Sequence, residues 1–307
     1  MALYNAFYGL RESPFTLNPD PRFVFLSRQH REALAGLMYA ICDAKGFALL
    51  TGEVGTGKTT LVHTLLTQLG DRVSSAVAFN PGMSRRGLYQ HLLAEFRLPA
   101  EASILDATRA LQRFLLTQLS AGRRAVVVID EAHALSCELL EEIRLLTNFE
   151  TSRAKLLQVL LVGQPELVAQ LQRTEMRQLR QRVALRFQLT AFDFPETIRY
   201  VRSRLASAGR TEDLFAPRAY VALYQFSGGL PRVINVLCDN ALLTGFARDQ
   251  PAIDRRIVHR AAQDLCLSPQ RQLGLWQRAR TRHYMRANGH PFEALREISL
   301  PPLEFNR

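Results

Sequence analysis

Residues 52–60 read Gly-Glu-Val-Gly-Thr-Gly-Lys-Thr-Thr, with the apolar run Phe47-Ala48-Leu49-Leu50 before them and Leu61-Val62-His63-Thr64-Leu65-Leu66 after. The spacing is G-x-x-x-x-G-K-[ST]. Its flanks predict strand, glycine-rich loop and helix in that order, the context in which such a loop cradles phosphate. Across Gly52, Glu53, Val54, Gly55, Thr56 and Gly57 the glycines let successive backbone N–H groups turn inward around a polyphosphate. The helix opening at Lys58, Thr59 and Thr60 adds positive dipole at the same point. Lys58 would reach the outer phosphates and the Thr59 hydroxyl would hold Mg²⁺. Of 39 basic residues only Lys45, Lys58 and Lys155 are lysines. A chain that otherwise uses arginine keeps lysine where a compact ammonium suits the site. The motif implies binding of a nucleoside triphosphate.

The 307 residues leave room for a large core and two subdomains, and 47% hydrophobic with 22% charged residues is ordinary for a globular chain. No apolar stretch approaches the roughly 20 residues that span a bilayer. The start, Met-Ala-Leu-Tyr-Asn-Ala-Phe-Tyr-Gly-Leu, lacks the basic and apolar regions of a secretory signal, so a cytoplasmic location is expected. Cys42, Cys137, Cys238 and Cys266 are scattered, with no C-x-x-C pair, and read as reduced core thiols. The net charge of +11 supports two readings: a surface for nucleic acid or an anionic membrane face, or a solvated, arginine-biased surface.

Apolar strand patterns alternate with amphipathic segments, which predicts an α/β domain with a mostly parallel sheet. After the Lys58–Leu69 helix come a strand at Ser74–Phe79, ending in Asn80-Pro81-Gly82, and helices near Arg85–Phe96 and Asp106–Ser120. The run Ala125-Val126-Val127-Val128-Ile129 has the continuous apolar character of a strand buried on both faces. A helix near Cys137–Asn148, a strand at Leu156–Val162, an arginine-rich helix over Glu166–Leu179 and a short strand at Arg186–Leu189 follow. From Phe194 on the pattern is helical only: Pro195–Ser207, Pro217–Phe226, Pro231–Ala247 and Ile253–Leu265. Three parts are therefore expected: an ATPase α/β core at 1–193, a helical lid at 194–267, and a basic tail at 268–307. In that tail Arg271, Arg278, Arg280, Arg282 and Arg286 interleave with Trp276 and Tyr284, a pattern for nucleic acid or for a helix packed on the ATPase body.

A strand of Val and Ile that ends in Asp130-Glu131-Ala132-His133 suits the second nucleotide motif. Asp130 would hold Mg²⁺, directly or through water, and Glu131 would polarise the attacking water as general base. Gln164, just past the Leu156–Val162 strand, sits where a polar side chain can orient water against the outer phosphate; the alternative is a turn glutamine beside Pro165. In Ser227-Gly228-Gly229-Leu230-Pro231-Arg232, Pro231 opens a helix and places Arg232 in its first turn, facing the nucleotide or solvent. Arg173, Arg177 and Arg180 are spaced for one helix face, and Arg182 follows. An arginine set against the phosphate of a neighbouring subunit would stabilise transition-state charge. Arg182 is the first choice, with Arg180 and Arg177 as alternatives.

With these motifs the chain resembles the AAA+ ATPases of the ExeA/GspA secretion-associated family, which includes mannose-sensitive pilus and exosortase-associated ATPases and lies near the AAA+ regulators of Tn7-like transposition. The resemblance rests on Tyr4-Asn5-Ala6-Phe7-Tyr8-Gly9-Leu10, Pro14-Phe15, Asn18-Pro19-Asp20-Pro21-Arg22-Phe23, Ser27, His30 and Glu32-Ala33-Leu34. It rests equally on Thr51 to Thr60, Asp130 to His133, Gly163-Gln164-Pro165-Glu166-Leu167, Gln181-Arg182 and Gly229-Leu230-Pro231-Arg232. It covers residues 1–267 and implies an ATP-driven oligomer, with Pro14-Phe15 either near adenine or in a core. Longer members continue into a membrane segment and a peptidoglycan-binding domain, and neither pattern occurs in these 307 residues.

The resemblance implies an AAA+ ATPase, with ATP and Mg²⁺ as ligands, that drives assembly of a secretion, pilus or polysaccharide-export complex as a homo-oligomer. The alternative is an ATP-dependent regulator of transposition or recombination bound to duplex DNA. A nucleotide-dependent scaffold without turnover is disfavoured by the intact Asp130-Glu131 pair.

Overall fold

The computed structural model describes residues 3–17, 20–78, 83–152 and 154–269. The basic tail from Gln270, Asn18-Pro19 and Asn80-Pro81-Gly82 lie outside the described residues. The chain divides into two compact units, one running from Leu26 to Ala191, the other formed by the described residues up to Phe25 and from Phe192 onward.

The first unit is built in the order α1 (Arg28–Cys42), β1 (Phe47–Gly52), α2 (Lys58–Leu69), β2 (Val73–Ala78), α3 (Arg85–Glu95), α4 (Ile104–Ser120), β3 (Arg124–Ile129), α5 (Cys137–Leu146), β4 (Leu157–Gly163), α6 (Glu166–Leu171), α7 (Arg177–Arg182) and β5 (Val183–Leu189). The five strands form one sheet in the order β2-β3-β4-β1-β5. Every neighbouring pair is parallel, as strands linked by helical crossovers must be.

Alternation along the strands divides their side chains between two cores. Phe47, Leu49, Val127, Ile129, Val159 and Leu161 face one way, packed with Leu88, Leu92, Leu111, Leu140 and Ile143 of α3, α4 and α5. Ala48, Leu50, Val126, Val128, Leu160 and Val162 face the other, packed with Leu34 and Leu37 of α1 and Leu61 and Leu65 of α2. This is the helix–sheet–helix sandwich expected of strands apolar on both faces. The register pairs Ile129 with Leu161 and Thr51 with Gly163. The motifs that follow β1, β3 and β4 therefore emerge together at the carboxyl edge of the sheet, where open α/β sheets bind ligands.

The second unit contains α8 (Phe194–Ser207), α9 (Pro217–Ser227), α10 (Pro231–Phe246) and α11 (Arg255–Asp264). Its core combines Ile198, Val201, Tyr220, Leu223, Ile234, Leu237 and Ile257 with Tyr4, Tyr8, Leu10, Phe15 and Phe23. Residues up to Phe25, expected with the ATPase core at 1–193, thus pack into the helical unit. Their aromatic side chains have no periodicity of their own and are buried only against helices some 200 residues later, as in the Tyr8 hydroxyl that donates to the Gln250 carbonyl at 3.1 Å. Phe15 stands edge-on to Phe215 in this core and is 2% exposed, so it packs in the helical unit's core.

Two further differences concern elements. The stretch from Arg28 to Cys42, where no element is expected from the motifs, forms α1, capped by the Ser27 hydroxyl. The single arginine-rich helix expected at Glu166–Leu179 is broken. Arg173 adopts φ −59°, ψ 150°, a 3-10 turn follows at Thr174–Met176, and burial of Leu171, Met176 and Leu179 fixes both sides of the break. Arg173 therefore does not share a helix face with Arg177 and Arg180. Of the four free thiols only Cys238 is buried, and Cys42 and Cys266 are exposed, against the expectation of four core thiols.

Candidate nucleotide site

Helices α1, α3, α4, α5, α8 and α11 each open on a Ser or Asp side chain that accepts from a first-turn N–H. Helix α2 does not. Its first residue follows Gly57 at φ 94°, and no side chain caps it. Its leading N–H groups are thus presented to the space inside the loop, donors of the kind that bind a phosphate anion. Gly55, at φ 82°, provides the other left-handed turn. Glu53 and Val54 are exposed at the loop tip, while Thr56 is fully buried and its hydroxyl donates to the Glu53 carbonyl at 2.8 Å. A Cβ at Gly52 would come within 2.6 Å of the Leu189 carbonyl, so the entry to the loop also requires glycine.

Lys58 is buried, and its Nζ donates to the carbonyls of Gly52 at 2.8 Å and Glu53 at 3.0 Å. Burial lowers the Lys58 pKa below the usual lysine range, an effect opposed by the nearby carboxylates of Glu131, Asp130, Glu53 and Glu166. Thr59 Oγ1 donates to Asp130 Oδ2 at 3.0 Å, which joins the first turn of α2 to the end of β3. The other Asp130 oxygen accepts from the Glu131 backbone nitrogen at 2.9 Å. A hydroxyl and a buried carboxylate set side by side are hard oxygen donors suited to Mg²⁺. Glu131 sits at φ 53°, ψ 32°, a left-handed conformation that is uncommon for a residue with a side chain. Thr60 follows Thr59 in the first turn and is partly exposed.

Gln164 lies one residue beyond the Thr51–Gly163 register pair, at the level of Gly52. Its side-chain amide meets His133 Nε2 at 2.8 Å, and His133 Nδ1 is 3.5 Å from Glu131 Oε2. In the sequence His133 has no task beyond membership of its motif. His30 is a second residue whose part the sequence did not disclose. From α1 it reaches the Thr56 carbonyl with Nε2 at 3.0 Å. The structure thus brings together residues 52–60, Asp130, Glu131 and Gln164. Arg182 stands apart at the end of α7, where its guanidinium donates to Thr147 Oγ1 at 2.7 Å and Asn148 Oδ1 at 2.8 Å. Arg180 donates to the Gln172 carbonyl at 3.2 Å, and Arg177 is exposed. Arg232 is exposed in the first turn of α10, in the helical unit.

Sheet order, phosphate loop and the Thr59–Asp130 pair define the class, a P-loop protein of the AAA+ type. A family model described as AAA domain matches residues 41–171. The chain is also 43% identical over 277 residues to General secretion pathway protein A of Aeromonas hydrophila, with 90% of this chain covered and 50% of that protein. It belongs to the AAA+ ATPases of the ExeA/GspA secretion-associated family and spans about half the length of the relative it matches. Solved structures with the same fold include the ORC2 protein of Aeropyrum pernix, at TM-score 0.65 and 16% identity over 82% of this chain and 71% of that one. Drosophila ORC bound to DNA gives TM-score 0.66 and 17% identity over 83% and 65%. At these identities the likeness is one of fold.

Proposed function

We propose that this chain binds ATP with Mg²⁺ and hydrolyses it, as a homo-oligomer, to drive assembly or remodelling of a partner complex. The observation that carries the reading is the Thr59–Asp130 pair, with Glu131 next in the chain and the uncapped start of α2 beside it. Lys58 would exchange its loop carbonyls for the outer phosphates. Thr59 and Asp130 would hold Mg²⁺, which when bound neutralises charge on those phosphates. Glu131 would accept a proton from water as its oxygen bonds to the outer phosphorus and the bond to the ADP oxygen breaks. Gln164 would orient that water against the outer phosphate, and Arg232 would add positive charge to the nucleotide. Arg182 would act on the nucleotide of a neighbouring subunit.

The partner we favour belongs to a secretion, pilus or export assembly, on the strength of the 43% identity to General secretion pathway protein A. We place the work on the cytoplasmic side, where ATP is supplied. Among the described residues no helix is long and apolar enough to cross a membrane. Lys58→Ala should abolish ATP binding or weaken it greatly, whereas Glu131→Gln should keep binding and lose turnover. Equilibrium nucleotide binding alongside phosphate release tests both. A Glu131→Gln protein that hydrolyses at the parent rate would sink the assignment.

The net charge of +11 favours duplex DNA as the second reading. Binding measured across salt concentrations, for the full chain and for residues 1–267, tests it. DNA binding that loses affinity and salt dependence on truncation supports a role for the basic tail. No DNA binding by either form removes the reading.

A further inference from the structure

The ring of His133 touches both groups on which the proposed chemistry depends. Nδ1 lies 3.5 Å from Glu131 Oε2 and accepts from the Gln164 backbone N–H at 3.4 Å. Nε2 lies 2.8 Å from the Gln164 side-chain amide. The backbone builds this meeting. His133 sits in a 3-10 turn, Ala132–Ala134, packed on the end of β4 and the start of α6. A Cβ at Gly163 would come within 3.2 Å of the His133 backbone nitrogen, so this approach uses a glycine at the end of β4. The His133 side chain is 17% exposed and that of Glu131 46%. The link is therefore mostly covered, while the carboxylate is open to water.

An uncharged imidazole has one N–H and one acceptor nitrogen, and cannot serve all three neighbours at once. With hydrogen on Nδ1, the ring turns that N–H toward Glu131 Oε2, 3.5 Å away, and its Nε2 accepts from the NH₂ of Gln164. The base is then held and the amide donor occupied. With hydrogen on Nε2, the ring donates to the side-chain oxygen of Gln164 and accepts the Gln164 backbone N–H at Nδ1. Glu131 then has its lone pairs free for water, and the Gln164 NH₂ is free for an outer phosphate.

We propose that His133 is a positioning residue that links phosphate sensing by Gln164 to release of Glu131. Contact of the Gln164 NH₂ with an outer phosphate turns the amide oxygen toward the ring and selects the Nε2–H tautomer, which frees the base. One proton leaves Nδ1 for water and one is taken from water at Nε2, so the ring's charge does not change. The link rests on the role proposed above for Glu131 and adds, to the water-orienting role of Gln164, a contact of its NH₂ with the outer phosphate.

Two measurements test it on the full chain. In the first, Gln164→Ala is made in the parent and in His133→Ala, with His133→Phe as a second background that keeps the volume of the ring. Without the amide, Glu131 stays held by Nδ1–H, so Gln164→Ala should lower kcat about 100-fold in the parent. Where the imidazole is absent it should cost only the water-orienting part, less than about 10-fold, because nothing then holds the base; this coupling is read as a double-mutant cycle. Equal losses in all backgrounds would overturn the link while leaving the nucleotide chemistry intact. A purely structural His133 would lower activity without changing the cost of Gln164→Ala. In the second measurement, ¹⁵N shifts of His133 are compared with Mg-ADP and with a Mg-bound non-hydrolysable ATP analogue. The Nε2–H tautomer should dominate only with the analogue. One tautomer in both states, or a ring protonated at both nitrogens throughout, would overturn the proposal. Parent-rate turnover by Glu131→Gln would instead remove the reading beneath it, and the link with it.

Discussion

His30 on α1 holds the Thr56 carbonyl of the phosphate loop at 3.0 Å, and its other ring nitrogen meets Ser27 Oγ at 2.8 Å. A ring protonated at Nε2 donates to Thr56 and accepts from the serine hydroxyl, so both nitrogens are used. A Cβ at Gly57 would lie only 3.2 Å from Nε2, which ties the glycine to the same contact. The loop is thus fixed by a side chain from a different helix as well as by its own sequence.

Replacing His30 with Ala should therefore loosen the loop without removing any phosphate-binding group. We expect nucleotide affinity to fall about tenfold, roughly 1.4 kcal/mol. Stability should fall by about 1–3 kcal/mol, from the unpaired carbonyl and lost packing. Calorimetric binding of ADP and denaturant unfolding measure the two effects. An unchanged dissociation constant would show that the loop keeps its shape without the histidine.

The same residue sets a pH dependence. Burial lowers the His30 pKa below the ordinary 6.5, the Thr56 hydrogen bond opposes that shift, and Arg31 adds to it. In the window between the two pKa values the unfolded chain binds a proton that the folded chain refuses, so stability rises with pH there. The contribution is complete above about pH 6.5 and is lost as pH falls through that value toward the folded pKa. Denaturation at a series of pH values should show this loss in the parent, and His30→Gln should flatten it. An equal slope in both proteins would assign the acid sensitivity to other groups.

What the sequence disclosed and what it withheld follow from the range of each interaction. The Lys58–Leu69 helix, the strand that ends at Ile129 and the meeting of Asp130 with Thr59 were legible, because glycine spacing and apolar runs are local signals. Helix α1 carried a readable pattern, a Ser27 cap followed by Leu34, Leu37 and Ile41 on one face, that the motifs after it overshadowed. The break at Arg173 had no such marker; it depends on Leu171, Met176 and Leu179 finding the core. The roles of His30 and His133 were not legible at all. Each depends on a partner 26 or 31 residues away in sequence, brought close only by the folded sheet.

Arg182 is held by Thr147 and Asn148 at the end of α5, which fixes its side chain close to the surface of the sheet unit. If it acts on a neighbouring subunit, specific activity should rise with protein concentration, and Arg182→Ala should lose turnover while keeping ATP affinity. Mixing Arg182→Ala with Glu131→Gln should restore part of the activity, since some mixed interfaces pair an intact Glu131 with an intact Arg182. Loss of Thr147 and Asn148 together should lower turnover less, by about tenfold, because the guanidinium remains but loses its fixed direction. Activity independent of concentration down to a demonstrated monomer would rule out action in trans.

Arg204 in α8 is the centre of the helical unit's hold on the start of the chain. Its guanidinium donates to the carbonyls of Pro14 at 2.6 Å, Thr16 at 2.8 Å and Phe23 at 3.3 Å, and it lies 4.9 Å from the centre of the Phe23 ring. The residue is buried, so Arg204→Met would leave three carbonyls without their donor while keeping much of the aliphatic packing. Each orphaned acceptor costs about 1–3 kcal/mol unless water reaches it, and we expect a net loss near 3 kcal/mol. Hydrogen exchange should locate the damage. Amides of Tyr8, Gly9 and Leu10, which bond back to residues 4–6, should lose protection together with Arg11, which bonds the Ala208 carbonyl. Strand amides of the sheet unit should keep theirs. Exchange at Arg11 and Leu10 as slow as in the parent would mean that the aromatic core alone anchors the segment, and that the arginine only orients the turn at Pro14–Thr16.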